Sequence, residues 1–113
     1  MDLFFWRKNN KIDKFASALA DEIYSSIQPV AAAQYFENTA SKESKKKAIK
    51  SIAHTEGVLS AAISKIKQFR ETHQLGVYGK ARLHMKFMER LEELGYQSNV
   101  AKKCNEFIML HTP

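Results

Sequence analysis

The sequence predicts an all-α fold, an irregular bundle of four main helices plus one short helix. Three observations carry this. Apolar residues recur at the i, i+3, i+4, i+7 spacing of a helical face along four separate stretches. Gly and Pro are scarce, with four and two in 113 residues, which leaves little turn chemistry for a many-stranded fold. No stretch alternates apolar and polar residues with the period of two that a half-buried strand needs.

The first helix is expected from Lys11 to Ile27. Ile12, Phe15, Ala16, Leu19, Ala20, Ile23 and Ile27 share one face, with Asn10 as cap and Asp13 near the positive end of the dipole. Pro29 ends it, because the residue before a proline is pushed out of the α region, and then opens a short helix over Val30–Phe36. Glu37-Asn38-Thr39 reads as a turn. A long helix of about thirty residues follows, from Ser41 as cap to His73. Ile49, Ile52, Leu59, Ile63 and Ile66 hold a seam along it, interrupted by Glu56 and Arg70 and widened by Ala48, Ala53, Ala62 and Phe69. Its one glycine, Gly57, marks a bend or a close helix crossing. At about 1.5 Å per residue this helix outreaches the roughly 34 Å diameter of a compact domain of this size. It must bend, protrude, or lie against a second copy of itself.

Gln74–Gly79 reads as the next connector, with Tyr78 packing over the joint. A further amphipathic helix is expected over Lys80–Leu94, with Leu83, Phe87, Met88, Leu91 and Leu94 on or beside one face and Gly95 at its left-handed end. The last helix runs from Ser98 as cap to Leu110 and buries Val100, Ala101, Cys104, Phe107 and Ile108. The chain is read as one domain over 1–113, with residues 1–9 as a mobile aromatic and basic N-terminal segment.

Charge and motifs set the functional expectations. The formal net charge of +6 is uneven: residues 41–73 carry most of the basic excess, and residues 1–40 are slightly acidic. Lys42, Lys46, Lys50 and His54 follow one another at i+4 steps, a stripe able to meet successive phosphates of a nucleic acid with little sequence preference. A solvated polar helix face is the plainer explanation of the same residues. Phe4, Phe5 and Trp6, followed by Arg7 and Lys8, have the order of an interfacial membrane anchor or a partner contact. Their alternative fate is burial in the protein's own core or in a dimer.

Gly76-Val77-Tyr78-Gly79 with Lys80 and Arg82 could hold an anion at a helix N-terminus. Those four residues resemble the GxxG loop of KH RNA-binding domains, which implies RNA contact there. The three-stranded sheet of that domain has no counterpart in this sequence, so a plain connector is preferred. A helix-turn-helix across Gly95 is disfavoured by the bulky Leu91 four residues before it; an antiparallel helix pair is expected instead.

Catalytic chemistry is not indicated. The single cysteine, Cys104, falls among apolar positions, and His54, His73, His84 and His111 show neither the His pairs nor the Glu-x-x-His steps of helical metal sites. No cofactor, metal or small-molecule substrate is expected. The sequence-level reading is a cytoplasmic, non-catalytic protein-interaction module, with a homodimer as its expected assembly and nucleic acid or a membrane surface as competing partners.

Overall fold

The computed structural model describes residues 3–37 and 45–112. Five helices make up this part: α1 (Leu3–Ser26), α2 (Pro29–Glu37), α3 (Lys45–His73), α4 (Val77–Glu93) and α5 (Ser98–His111), with no strand among the described residues. The all-α bundle of four main helices and one short helix is therefore the observed fold.

Two helix registers define the arrangement. Phe15 stacks on Phe69 with ring centroids 4.1 Å apart, Glu22 pairs with Lys65, and Ser26 meets His54. Residue numbers rise along α1 as they fall along α3, so the two helices are antiparallel. The pairs Asp13–Arg82, Asp21–Arg90 and Ile27–Tyr96 are all separated by 69 residues, so α1 and the α4 end of the chain run parallel in one fixed register. The α1–α4 interface is the most extensive in the molecule. Ala16 and Ala20, both buried completely, present little bulk on the α1 core face.

The core lies where four helices meet. Leu83, Phe87 and Leu91 of α4 are fully enclosed among Ile12, Leu19 and Ile23 of α1, Leu59 and Ile66 of α3, and Val100 and Ile108 of α5. Truncating a buried Phe such as Phe87 to Ala costs about 3–5 kcal/mol in such settings. Thr55 is buried on α3 within the span of the apolar seam.

Several element boundaries differ from the sequence expectation, each for a local reason. α1 begins at Leu3, so Asn10 lies inside the helix and does not cap it, and residues 3–9 belong to α1. No Gly or Pro interrupts 3–26, and an interior Asn costs only a few tenths of a kcal/mol. Ser41, Lys42, Asn38 and Thr39 lie outside the described residues. α3 runs unbroken through Gly57, and a Cβ placed there would meet nothing within 4 Å. Gly57 thus marks no close crossing among the described residues.

α4 starts three residues early because Lys80 N–H already bonds to Gly76 O at 3.0 Å. Gly79 is buried in its first turn, where a Cβ would come within 3.2 Å of Leu75 Cδ2 and 3.6 Å of Ile12 Cδ1; this glycine serves close packing. Tyr78 does not cover the joint but is exposed, with its hydroxyl 3.4 Å from Arg82 Nη1. At α5, Gln97 takes the N-cap position with extended backbone and Ser98 is the first helical residue. Ala101 N–H bonds to Gln97 O at 2.8 Å, so the helical ladder opens one residue ahead of the expected cap.

The reversals after α3 and after α4 are Schellman turns. After α4, Tyr96 N–H bonds to Leu91 O and Gly95 N–H to Glu92 O, with Gly95 at φ 107°. After α3, Leu75 N–H bonds to Arg70 O and Gln74 N–H to Glu71 O, with Gln74 at φ 49°. His84 facing Asn105 shows that α5 returns along α4 as an antiparallel pair.

Candidate interaction surfaces

The molecule is elongated, measuring 57 × 24 × 20 Å with a radius of gyration of 15.1 Å. A compact domain of this length has a radius near 13 Å. Overhanging helix ends contribute to this shape. α1 ends level with His54, so residues 45–53 of α3 continue beyond it. At the other end, the 69-residue register places Lys8 level with Val77, the first residue of α4. Phe69 stacks on Phe15 and contacts His73, so α3 finishes at about the level of Lys11. The turns of α1 that carry Leu3, Phe4, Phe5 and Trp6 therefore pass the ends of both neighbouring helices.

The predicted stripe is only partly placed. Lys42 lies outside the described residues, and for Lys46 and Lys50 the structure describes the helical backbone alone, in the opening turns of α3. His54 is bound within the fold: its Nε2 is 3.1 Å from Ser26 O, and since a carbonyl only accepts, the ring nitrogen donates. That contact ties α3 to the end of α1 and removes His54 as an uncommitted member of the stripe. Glu56 and Arg70, the two interruptions of the seam, also find partners in their own chain. Glu56 lies beside Tyr35, whose pKa is raised first by burial and then by that carboxylate. Arg70 Nη1 donates to Thr112 O at 2.6 Å. Neither residue requires a symmetry mate for pairing.

A groove of about 330 Å³ runs between α1 and α3. Its α1 side is Leu19, Glu22, Ile23 and Ser26, and its α3 side includes Ala53, His54, Gly57, Val58 and Ala61. The groove exists because Ala53, Gly57 and Ala61, one turn apart along α3, supply little side-chain volume. Two polar bridges tie the helices together along it, His54 to Ser26 and Lys65 to Glu22. Both bridges engage polar groups of the groove, so it offers shape and apolar contact more than reactivity.

A second concavity, of about 390 Å³, lies where α3 ends and α4 begins. Lys67, Arg70 and Glu71 of α3, Leu75 of the turn, Lys80 of α4 and Thr112 line it. The Schellman turn at Gln74 folds Lys80 back beside the α3 cations. In the sequence, Lys80 and Arg82 beside the two glycines suggest an anion contact only as an alternative to a plain connector, and nothing there joins them to Lys67 and Arg70; Arg82 is instead paired with Asp13. The available signal is Arg70 as one of the two charged breaks in the seam.

Beneath this region His84 and Asn105 form a buried pair, Nδ1 to Oδ1 at 3.1 Å, and Asn105 Nδ2 reaches Met109 Sδ at 3.6 Å. Burial holds the His84 pKa below its ordinary value, the Asn105 hydrogen bond opposes that shift, and the charges of Arg70 and Lys80 add to it. Cys104 is buried close by in sequence, and burial pushes its thiol up to about 12. Among the described residues no group of three His, Cys, Asp or Glu side chains is placed to hold a metal ion, and no helix is long and apolar enough to cross a membrane.

Comparison of the chain with known protein families, with curated proteins and with solved structures returned no match in any of the three.

Proposed function

We propose that this protein is a non-catalytic protein-interaction module that engages its partner through the overhanging start of α1, and that a second copy of the chain is such a partner. The observation that carries this reading is the α1–α4 register, which takes the Leu3-Phe4-Phe5-Trp6 turn past the ends of α3 and α4. Large apolar side chains gain about 1.5–3 kcal/mol each when buried, so an overhang built from four of them favours association. Sedimentation equilibrium at tens of micromolar should find a dimer, and Phe4→Glu/Phe5→Glu should convert it to a monomer with unchanged helicity. A wild-type monomer sinks the self-association claim. Anionic vesicles give the competing outcome, because Trp6 is the only tryptophan. A blue shift of its emission with vesicles, from a protein that is monomeric without them, assigns the overhang to a membrane surface.

One further observation favours a polyanion as partner. Lys45, Lys46 and Lys47 open α3, whose first turn holds no acidic residue, so like charges meet the positive end of the helix dipole. A bound polyanion relieves that repulsion and releases counterions. Lys46→Glu/Lys50→Glu should abolish retention on heparin at moderate salt, and unchanged retention would falsify this second reading.

A further inference from the structure

We infer that the concavity between the end of α3 and the start of α4 is a binding pocket for a small phosphate monoester, with Lys67, Arg70 and Lys80 gathered around the phosphate. The three cations come from two helices and face one space of about 390 Å³, accompanied among the described residues by a single carboxylate, Glu71, so that lining is net positive. Lys67 and Lys80 form no ion pair among the described residues, not even Lys67 with Glu71 one turn away. Arg70 is held in place by its bond to Thr112 O, which fixes its position before any ligand arrives.

Arg70 and Lys80 also disfavour a positive charge on the buried His84 beneath the concavity. The start of α4 adds to the same field: Gly76 occupies its N-cap position without a side-chain cap, and Leu75 and Lys80, on either side of that first turn, both line the pocket. The volume exceeds that of a bare phosphate and lies in the range of small-ligand sites, and Leu75 offers apolar surface to an organic body. A dianionic monoester suits two lysines and an arginine better than a singly charged carboxylate does.

The pocket and the α1 overhang can be tested separately. Amide and imidazole NMR shifts would be followed while the full chain is titrated with inorganic phosphate and with ribose 5-phosphate at constant low ionic strength. Saturable shifts are expected at Leu75, Lys80 and Thr112, with tighter binding of the sugar phosphate. Lys67→Gln/Lys80→Gln should weaken binding by about tenfold or more, whereas Lys102→Gln/Lys103→Gln, which removes equal charge on α5, should leave it unchanged. The pKa of His84 should rise in the saturated protein, because the ligand offsets the charges that depress it. Shifts that never saturate, equal weakening by both double variants, or an unmoved His84 pKa would each overturn the assignment. None of these outcomes depends on whether the chain dimerises through Phe4 and Phe5.

Discussion

Asp13 and Arg82 join α1 to α4 through two parallel hydrogen bonds, Nε to Oδ1 and Nη2 to Oδ2, each 2.8 Å long. The same sequence separation recurs about two helical turns along, where Arg90 bonds to Asp21, and again where the Tyr96 hydroxyl donates to Ile27 O. Polar contacts thus fix the register of an interface whose area is apolar. A slip of one turn would separate these pairs while leaving the greasy faces in contact. The ion pairs therefore select one of several packings that burial alone would accept.

The fork geometry makes Arg82 the sensitive member. Arg82→Lys keeps the charge but cannot reproduce both bonds, so a loss of about 1 kcal/mol is expected in urea unfolding. A double-mutant cycle of Asp13→Asn with Arg82→Lys should show coupling of similar size. Zero coupling would mean that shape alone sets the register.

Among the described residues, left-handed backbone occurs at two helix ends, one with the favoured residue and one without. Gly95→Ala forces a Cβ onto φ 107°, and about 1 kcal/mol of destabilisation is expected. Gln74→Gly relieves the opposite situation and should stabilise by about 0.5 kcal/mol, after the added freedom of the unfolded chain is subtracted. Thermal melts of both variants check the signs.

Stability should fall on acidification through His84. Its folded-state pKa lies below the unfolded value near 6.5, so the unfolded chain takes up the proton first. The contribution is complete above that unfolded value and is lost as pH drops from there toward the folded pKa. Melting temperatures measured from pH 7.5 to 5 should decline, and His84→Gln should flatten the slope. An identical slope in the variant would assign the acid sensitivity to other groups.

Cys104 should be inert in the native protein. With its thiol pushed up to about 12, roughly one molecule in ten thousand is ionised at pH 8, and the sulfur is also shielded from reagent. Reaction with a disulfide reagent should therefore proceed at the rate of structural opening and speed up sharply in denaturant. Rapid labelling without denaturant would contradict the burial.

Periodicity made the helices legible, because each main helix buries a continuous stripe such as Ile12, Ala16, Leu19 and Ile23. The reversal at Gly95 was legible from glycine's position. The one at Gln74 was not, since glutamine announces no left-handed backbone and Gly76 and Gly79, the turn-forming residues nearby, do not take the positive φ. Pairing between helices left no local trace: nothing near Asp13 in sequence points to Arg82. The same reason hid the pocket, whose cations are scattered over 67–80 until a turn brings them together. Glu56 and Arg70 read as flaws in the apolar seam only because Tyr35 and Thr112 are distant in sequence.

The parallel pairing of the first and fourth helices has a consequence during biosynthesis. A nascent chain emerges from the ribosome N-terminus first, and the sticky flank of its opening helix stays without its principal mate until some seventy further residues have been added. The antiparallel α3 is made earlier but shares a much smaller interface with α1. Here the native topology demands late closure over a long separation, which slows folding relative to bundles with local contacts. The interval in which this helix can be captured by a chaperone, or by another unfinished copy, is set by the register and not by the strength of the interface.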